Sequence, residues 1–247
     1  KIRVLPHREL RGVDFHALSF DGDVLLAAKP VVYGLDVERP SSRPTAGTKR
    51  TAGTKETLRR ALVVANPKEN LPFTIAEADA AEKAIQAWGF ETTRLDGSAA
   101  TSGAVGEQLP NADLFHFSGH GRFAGVDSEG TLLLAQDQRV SAGVILSRGR
   151  APRWVVLSSC DTGRSERAQG GGGSGLSVAD AFVLAGAHAV IASVRAVDDQ
   201  KAQGLFADFY HRWDGQSDLA VPFQQALLAW RKANRNADWQ SFRIIEP

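Results

Sequence analysis

Two short apolar runs constrain this chain more than anything else in it. Each breaks off at a small-residue turn that carries one reactive side chain. Asp113-Leu-Phe-His-Phe-Ser-Gly-His-Gly-Arg122 ends its run at His120-Gly121, and Arg153-Trp-Val-Val-Leu-Ser-Ser-Cys-Asp-Thr-Gly163 ends at Cys160, the one cysteine in the sequence. Runs this short and this rich in Val, Leu and Phe read as strands buried on both faces of a parallel sheet. Ligands and chemistry collect beyond the carboxyl ends of such strands. If the two strands are neighbours, an imidazole and a thiol meet at one edge of the sheet. A cysteine nucleophile needs that arrangement, because the imidazole can take or share its proton.

The rest of the chain supplies the matching parts. Arg60–Ala65 reads as the first core strand, closed by Asn66-Pro67. Helices follow over Ile75–Gly89, Ser102–Gln108, Ser141–Ser147, Ser177–Gly186, Asp199–Trp213 and Ala220–Asn234. Ala76, Ala80, Ala84, Ile85 and Trp88 fall at helical spacing, which marks a core face. Between the helices lie strand patterns at Glu91–Leu95, Leu114–Phe117, Gly130–Ala135, Trp154–Ser158 and Ala189–Val194, and Phe242–Ile245 is expected as an edge strand. Strands alternating with helices predict βαβ units and a mainly parallel sheet. Residues 1–38 alternate Ile2–Leu5, Val24–Ala27 and Pro30–Leu35 with Gly and Asp turns, a pattern of short β-hairpins. Residues 40–57, with Ala46-Gly-Thr-Lys49 nearly repeated at Ala52-Gly-Thr-Lys55, read as a flexible loop. No Gly-x-x-x-x-Gly-Lys-Ser/Thr order is present, so a phosphate loop is rejected. Residues 164–175 form a second loop by composition. Its run Gly170-Gly-Gly-Gly-Ser-Gly175 is read either as a native flexible loop or as a designed linker.

At 247 residues and 43% apolar the chain can build one large core. A net charge of +1 gives no bulk attraction to nucleic acid or anionic membrane. One cysteine excludes internal disulfides and fits a reducing compartment. Neither a membrane-length apolar run nor a signal-peptide pattern is seen, so a cytoplasmic location is expected. The sequence has no methionine, and it is read as one catalytic domain over 1–247, cut from a longer protein.

His-Phe-Ser-Gly-His-Gly followed by Val-Val-Leu-Ser-Ser-Cys-Asp-Thr-Gly resembles the His and Cys motifs of the CHAT proteases, in the caspase-like group that also holds separases, metacaspases and gingipains. Gly175-Leu-Ser-Val-Ala-Asp-Ala-Phe-Val-Leu-Ala-Gly-Ala-His188 is similar to a further CHAT pattern, and Pro6-His-Arg-Glu-Leu10 with Phe15-His-Ala-Leu18 resembles the opening segment of those domains. The resemblance implies a caspase-like three-layer α/β/α sandwich. It also implies Cys160 as nucleophile, His120 as general acid/base and an oxyanion hole from the backbone N–H groups of Gly121 and Cys160. The implied reaction is cleavage of a protein substrate, needing no metal or organic cofactor. A fused or partner helical-repeat or sensor module would control it, in bacterial defence or cell death.

Taken alone, a lone cysteine is more often a small core hydrophobe. Here the turn Asp161-Thr-Gly163 directly after it favours chemistry. His116 and His120 are four apart, but Phe117 stands where a zinc peptidase needs Glu, so His116 is read as structural. Specificity is assigned to Ile191-Ala-Ser-Val-Arg-Ala-Val-Asp-Asp-Gln200, where Val194-Arg195 replaces the usual Leu-Trp. Three readings stay open. Asp198 or Asp199, with Ser193 nearby, selects Arg or Lys; Arg195 selects an acidic residue; or Arg195 forms a structural ion pair. The alternative function is a silent or zymogen-locked interaction module.

Overall fold

The computed structural model describes residues 1–37, 58–123, 129–164, 175–234 and 238–247, and of Arg8 the backbone alone. The expected loop at 40–57 and residues 170–174 of the Gly-rich run lie outside the described residues. Eight strands form the main sheet: β1 (Ile2–Val4), β2 (Val31–Gly34), β3 (Arg60–Ala65), β4 (Glu91–Asp96), β5 (Leu114–Ser118), β6 (Trp154–Ser158), β7 (Ala189–Ser193) and β8 (Phe242–Glu246). Their order is β1-β2-β8-β7-β6-β5-β3-β4. Every neighbouring pair runs parallel except β7 and β8.

Alternation along the strands sends side chains into two separate cores. Val63, Leu114, Val156 and Ile191 point to one face. There they meet α1 (Phe73–Ala87), α5 (Asp199–Arg212) and α6 (Ala220–Ala233) through Ile85, Phe206, Phe209 and Trp230. Leu62, Phe115, Phe117, Leu157 and Val190 point to the other face. They meet α2 (Ser102–Gln108), α3 (Ala142–Ser147) and α4 (Val178–Leu184) through Val105, Ile145 and Phe182. The result is the expected α/β/α sandwich. Each fully buried Phe or Leu contributes about 1.5–3 kcal/mol of transfer free energy. Because both faces are covered, the central strands carry no polar alternation.

Side-chain caps set the helix starts. Thr101, Ser141, Ser177 and Asp198 each accept a backbone N–H from the first turn of α2, α3, α4 and α5. Gly89 (φ +81°) and Gly186 (φ +107°) take the left-handed conformation just past α1 and α4.

Two expectations are corrected. The N-terminal region is not a set of hairpins: Ile2–Val4 and Val31–Gly34 pair in parallel, joined by 3-10 turns and a short helix over Leu25–Ala28. One small hairpin remains, Ser19–Phe20 with Asp23–Val24, turning at Asp21-Gly22 with both φ positive. Phe242–Glu246 is not an edge strand. It lies between β7 and β2 and is buried throughout, because β1 and β2 extend the sheet beyond it. The pattern at Gly130–Ala135 yields Thr131–Leu133, the middle strand of a separate three-stranded antiparallel sheet with Gly121–Arg122 and Arg139–Ser141.

Candidate active site

β5 and β6 are parallel neighbours whose last paired residues are Ser118 and Ser158. His120 and Cys160 each lie two residues beyond that pair. Adjacent strands are about 4.8 Å apart, so equal overshoot sets the two residues on neighbouring turns at the carboxyl edge of the sheet. The backbone there is tightly packed. Gly119 N–H donates to Ser158 O at 3.3 Å. A Cβ at Gly119 would lie 2.9 Å from the Pro67 ring. A Cβ at Gly121 would strike the Cys160 carbonyl and lie 2.5 Å from Ser159 Oγ, so only glycine fits.

Cys160 and His120 each have a partner of their own. The half-buried Cys160 sulfur receives the Val197 N–H at 3.4 Å and donates to Val197 O at 3.7 Å. Burial pushes the thiol pKa up, and the charges of Asp161 and Asp199 push the same way, against the Val197 N–H. His120 Nε2 lies 2.9 Å from Asn70 Oδ1. With the proton on Nε2, it donates to Asn70 and leaves Nδ1 as the basic nitrogen. Asn70 sits on the turn that leaves β3. There Asn66 adopts φ +47°, donates its N–H to Ser118 O and accepts Leu71 N–H on its side chain. Asn70 was not anticipated. Its signal was a polar turn, Asn66-Pro-Lys-Glu-Asn70, closing a core strand next to the histidine strand. Val197 acts through its backbone, which leaves no signal in sequence.

Beneath this edge lies a cluster of buried polar groups. His116 Nδ1 meets Tyr210 OH at 3.0 Å, and its Nε2 lies 3.2 Å from Glu77 Oε1 without hydrogen-bond alignment. Ser158 Oγ donates to Glu77 Oε2 at 3.0 Å, and Ser118 Oγ donates to Thr74 O at 3.3 Å. Glu77 and His116 are 1% and 0% exposed, so these bonds substitute for water. His116 is structural, as the sequence implied. The cluster ties the first turns of α1 to the two strands that lead to His120 and Cys160.

On the opposite face of the sheet a cleft of about 470 Å³ opens beside the Cys160 turn. One wall is the turn Asp161–Gly163 and another is Val194–Ala196. Asp161 N–H and Gly163 N–H bond to Arg195 O and Ser193 O, which binds the walls together. Of the expected specificity residues, Arg195 lines the cleft, paired with Asp14 and 3.8 Å from Asp238. This is an ion pair, though not with either aspartate of its own segment. Ser193 is fully buried; its hydroxyl donates to Arg195 O and accepts Arg195 N–H. Asp198 caps α5 and lies 3.6 Å from Lys201. Neither Asp198 nor Asp199 lines the cleft. The sequence reading also missed Asp180, an acid in the otherwise apolar α4, which reaches the cleft. Among the described residues, no group of three or more His, Cys, Asp or Glu is placed to hold a metal ion.

Comparison with solved structures finds the same fold in cysteine proteases. Against the Arg-specific cysteine proteinase gingipain R the TM-score is 0.58 at 11% identity, over 76% of this chain and 46% of that one. Against the complex of the Porphyromonas gingivalis RgpB pro- and mature domains it is 0.54 at 9% identity, over 76% and 47%. Against the Saccharomyces cerevisiae separase–securin complex it is 0.55 at 12% identity, over 76% of this chain and 12% of that one. This chain thus spans less than half the length of these proteins, and at these identities the likeness is one of fold. No curated protein sequence matches it. The CHAT domain profile matches residues 1–245, nearly the full length, and the chain belongs to the CHAT domain family.

Proposed function

We propose that this chain is a cysteine endopeptidase domain in which Cys160 is the nucleophile and His120 the general acid/base. The observation that carries this reading is the equal overshoot of His120 and Cys160 beyond paired Ser118 and Ser158, with a cleft opening beside the thiol. In the proposed reaction His120 accepts the thiol proton and the sulfur attacks the scissile carbonyl carbon. The oxyanion is held by the N–H groups of Gly121 and Cys160. His120 then protonates the leaving amine, the C–N bond breaks, and water hydrolyses the thioester. Asn70 orients the imidazole. The cleft between Asp161–Gly163 and Val194–Ala196 takes the side chain before the cut. The test is a peptide library digested by this chain and by Cys160→Ala. Cleavage lost in the variant supports the reading, and cleavage retained in it removes Cys160 from the mechanism.

The Val197 clasp favours a second reading, a resting form held inactive. The thiol is bonded to Val197 and His120 to Asn70, and the raised thiol pKa keeps sulfur protonated near neutral pH. The sign follows directly: a raised pKa lowers the thiolate fraction at any pH below it. Alkylation of Cys160 by iodoacetamide should therefore run slower at pH 7 than for an exposed thiol and climb as pH passes the ordinary thiol range. A rate at pH 7 matching or exceeding that of an exposed thiol overturns the resting-form reading. Release would come from a regulatory helical-repeat or sensor module in the cytoplasm, and the setting proposed is bacterial defence or cell death by cutting one target protein. The separase neighbour is itself in complex with securin, which supports expecting a controlling partner here.

A further inference from the structure

The cleft beside Cys160 is lined by four arginines and two aspartates, and its charges are not equally committed. Arg195 and Arg243 converge on one carboxylate, that of Asp14. Burial would raise the Asp14 pKa, but hydrogen bonds from Arg243 and Arg195 outweigh it and hold it low. Arg243 also donates to Arg11 O and Val13 O and stacks on Tyr33, which fixes it as part of the wall. Arg164 lies 3.6 Å from Asp161, with both groups reaching solvent.

Asp180 differs from all of these. It is 7% exposed, yet it faces the cleft, and the nearest cation is Arg11 at 4.0 Å, beyond hydrogen-bond distance. Arg11 is 42% exposed and stands on a 3-10 turn at the rim. A buried carboxylate without a close cation carries a large desolvation cost, and burial raises the Asp180 pKa despite Arg11 and a hydrogen bond from the Ser177 hydroxyl. A cation entering from the cleft would remove that cost. Tyr33, Leu35 and Ile245 supply an apolar lining for an alkyl stem. The position is also tied to the nucleophile, since Thr162 O, two residues past Cys160, accepts the N–H of Ala179, next to Asp180.

We propose that Asp180 is the floor of a cation-binding pocket that receives the arginine or lysine side chain preceding the scissile bond. Arg11 sits where it competes for the same carboxylate. The identity of the incoming group as a substrate side chain rests on the peptidase reading; the cation site itself does not.

The test therefore begins with binding, measured by calorimetric titration of benzamidine and its neutral and anionic analogues, benzamide and benzoate, into the unmodified chain. Benzamidine should bind at least tenfold more tightly than either analogue. Asp180→Asn should bring benzamidine to the level of benzamide while leaving benzamide unchanged, which also shows that the variant is folded. Arg11→Ala should tighten benzamidine binding severalfold by removing the competitor. Benzoate binding best, benzamidine failing to bind, or benzamidine affinity surviving Asp180→Asn overturns the proposal. Cleavage of the peptide library then separates the two readings. Cuts after Arg or Lys support both. Cuts after acidic or apolar residues sink the assignment of Asp180 but keep the peptidase. Benzamidine binding lost only in Asp180→Asn, with no Cys160-dependent cleavage, keeps the cation site and sinks the peptidase.

Discussion

Two polar regions flank the same sheet, and they solve the problem of burying charge in opposite ways. On one face, Glu77, His116, Tyr210 and Ser158 are supplied entirely by the fold, from β5, β6, α1 and α5, and sit within about 3 Å of one another. On the other, the cleft holds Arg11, Arg164 and Arg195 with side chains 40–44% exposed and with partners at up to 4.0 Å. In the closed cluster the two atoms left without a hydrogen bond, His116 Nε2 and Glu77 Oε1, face each other at 3.2 Å and no solvent path reaches them. In the cleft, the Arg11–Asp180 and Arg164–Asp161 pairs are loose and wet enough for a ligand to exchange with them. Interior polar groups that satisfy each other build structure, whereas those that stay loosely paired beside a cavity build recognition.

The sharpest test of this contrast is Glu77→Ala. It removes the acceptor of Ser158 Oγ and leaves His116 buried beside an empty space. Urea unfolding should show a loss of about 3–5 kcal/mol, and a loss below about 1 kcal/mol would put the cluster on the same footing as surface pairs. Asp14→Ala probes the one tight knot inside the cleft, where Arg243 is 6% exposed. It should cost about 2 kcal/mol in the same measurement, as expected for hydrogen bonds to charged groups. Asn70→Ala leaves both regions intact and touches only the orientation of His120. Stability should hold within about 0.5 kcal/mol, the usual range for surface changes. Turnover of any peptide substrate should fall by about tenfold or more, since oriented acid/base chemistry is worth more than that. Arg164→Ala is the smallest: its exposed pair with Asp161 should contribute no more than about 0.5 kcal/mol. A larger loss would mean the cleft wall is built as rigidly as the cluster.

Much of this was legible beforehand because local physics decided it. Trp154–Ser158 and Ser102–Gln108 have the bounds expected of them; continuous apolar content sets the first, and the structure adds a Thr101 cap to the second. Phe242–Glu246 was misplaced because an edge strand and an interior strand share one apolar pattern. Only the docking of Ile2–Val4 and Val31–Gly34 beyond it distinguishes them. Asn70 and Asp180 escaped for a related reason: what a polar residue in a turn or in an apolar helix meets depends on what the fold sets opposite it.

Sequence alone therefore determined the α/β alternation, the strands buried on both faces and the placing of His120 and Cys160 just beyond strand ends. These follow from periodicity, capping and chain direction, which are properties of neighbouring residues. Tertiary structure alone decided that Val197 holds the thiol, Asn70 holds His120 and Asp14 engages Arg195, while Asp180 faces the cleft. Those contacts join residues 37, 50 and 181 positions apart in the first three cases. Burial and distance, which set the strength of each charge and bond, exist only once the strands have found their order.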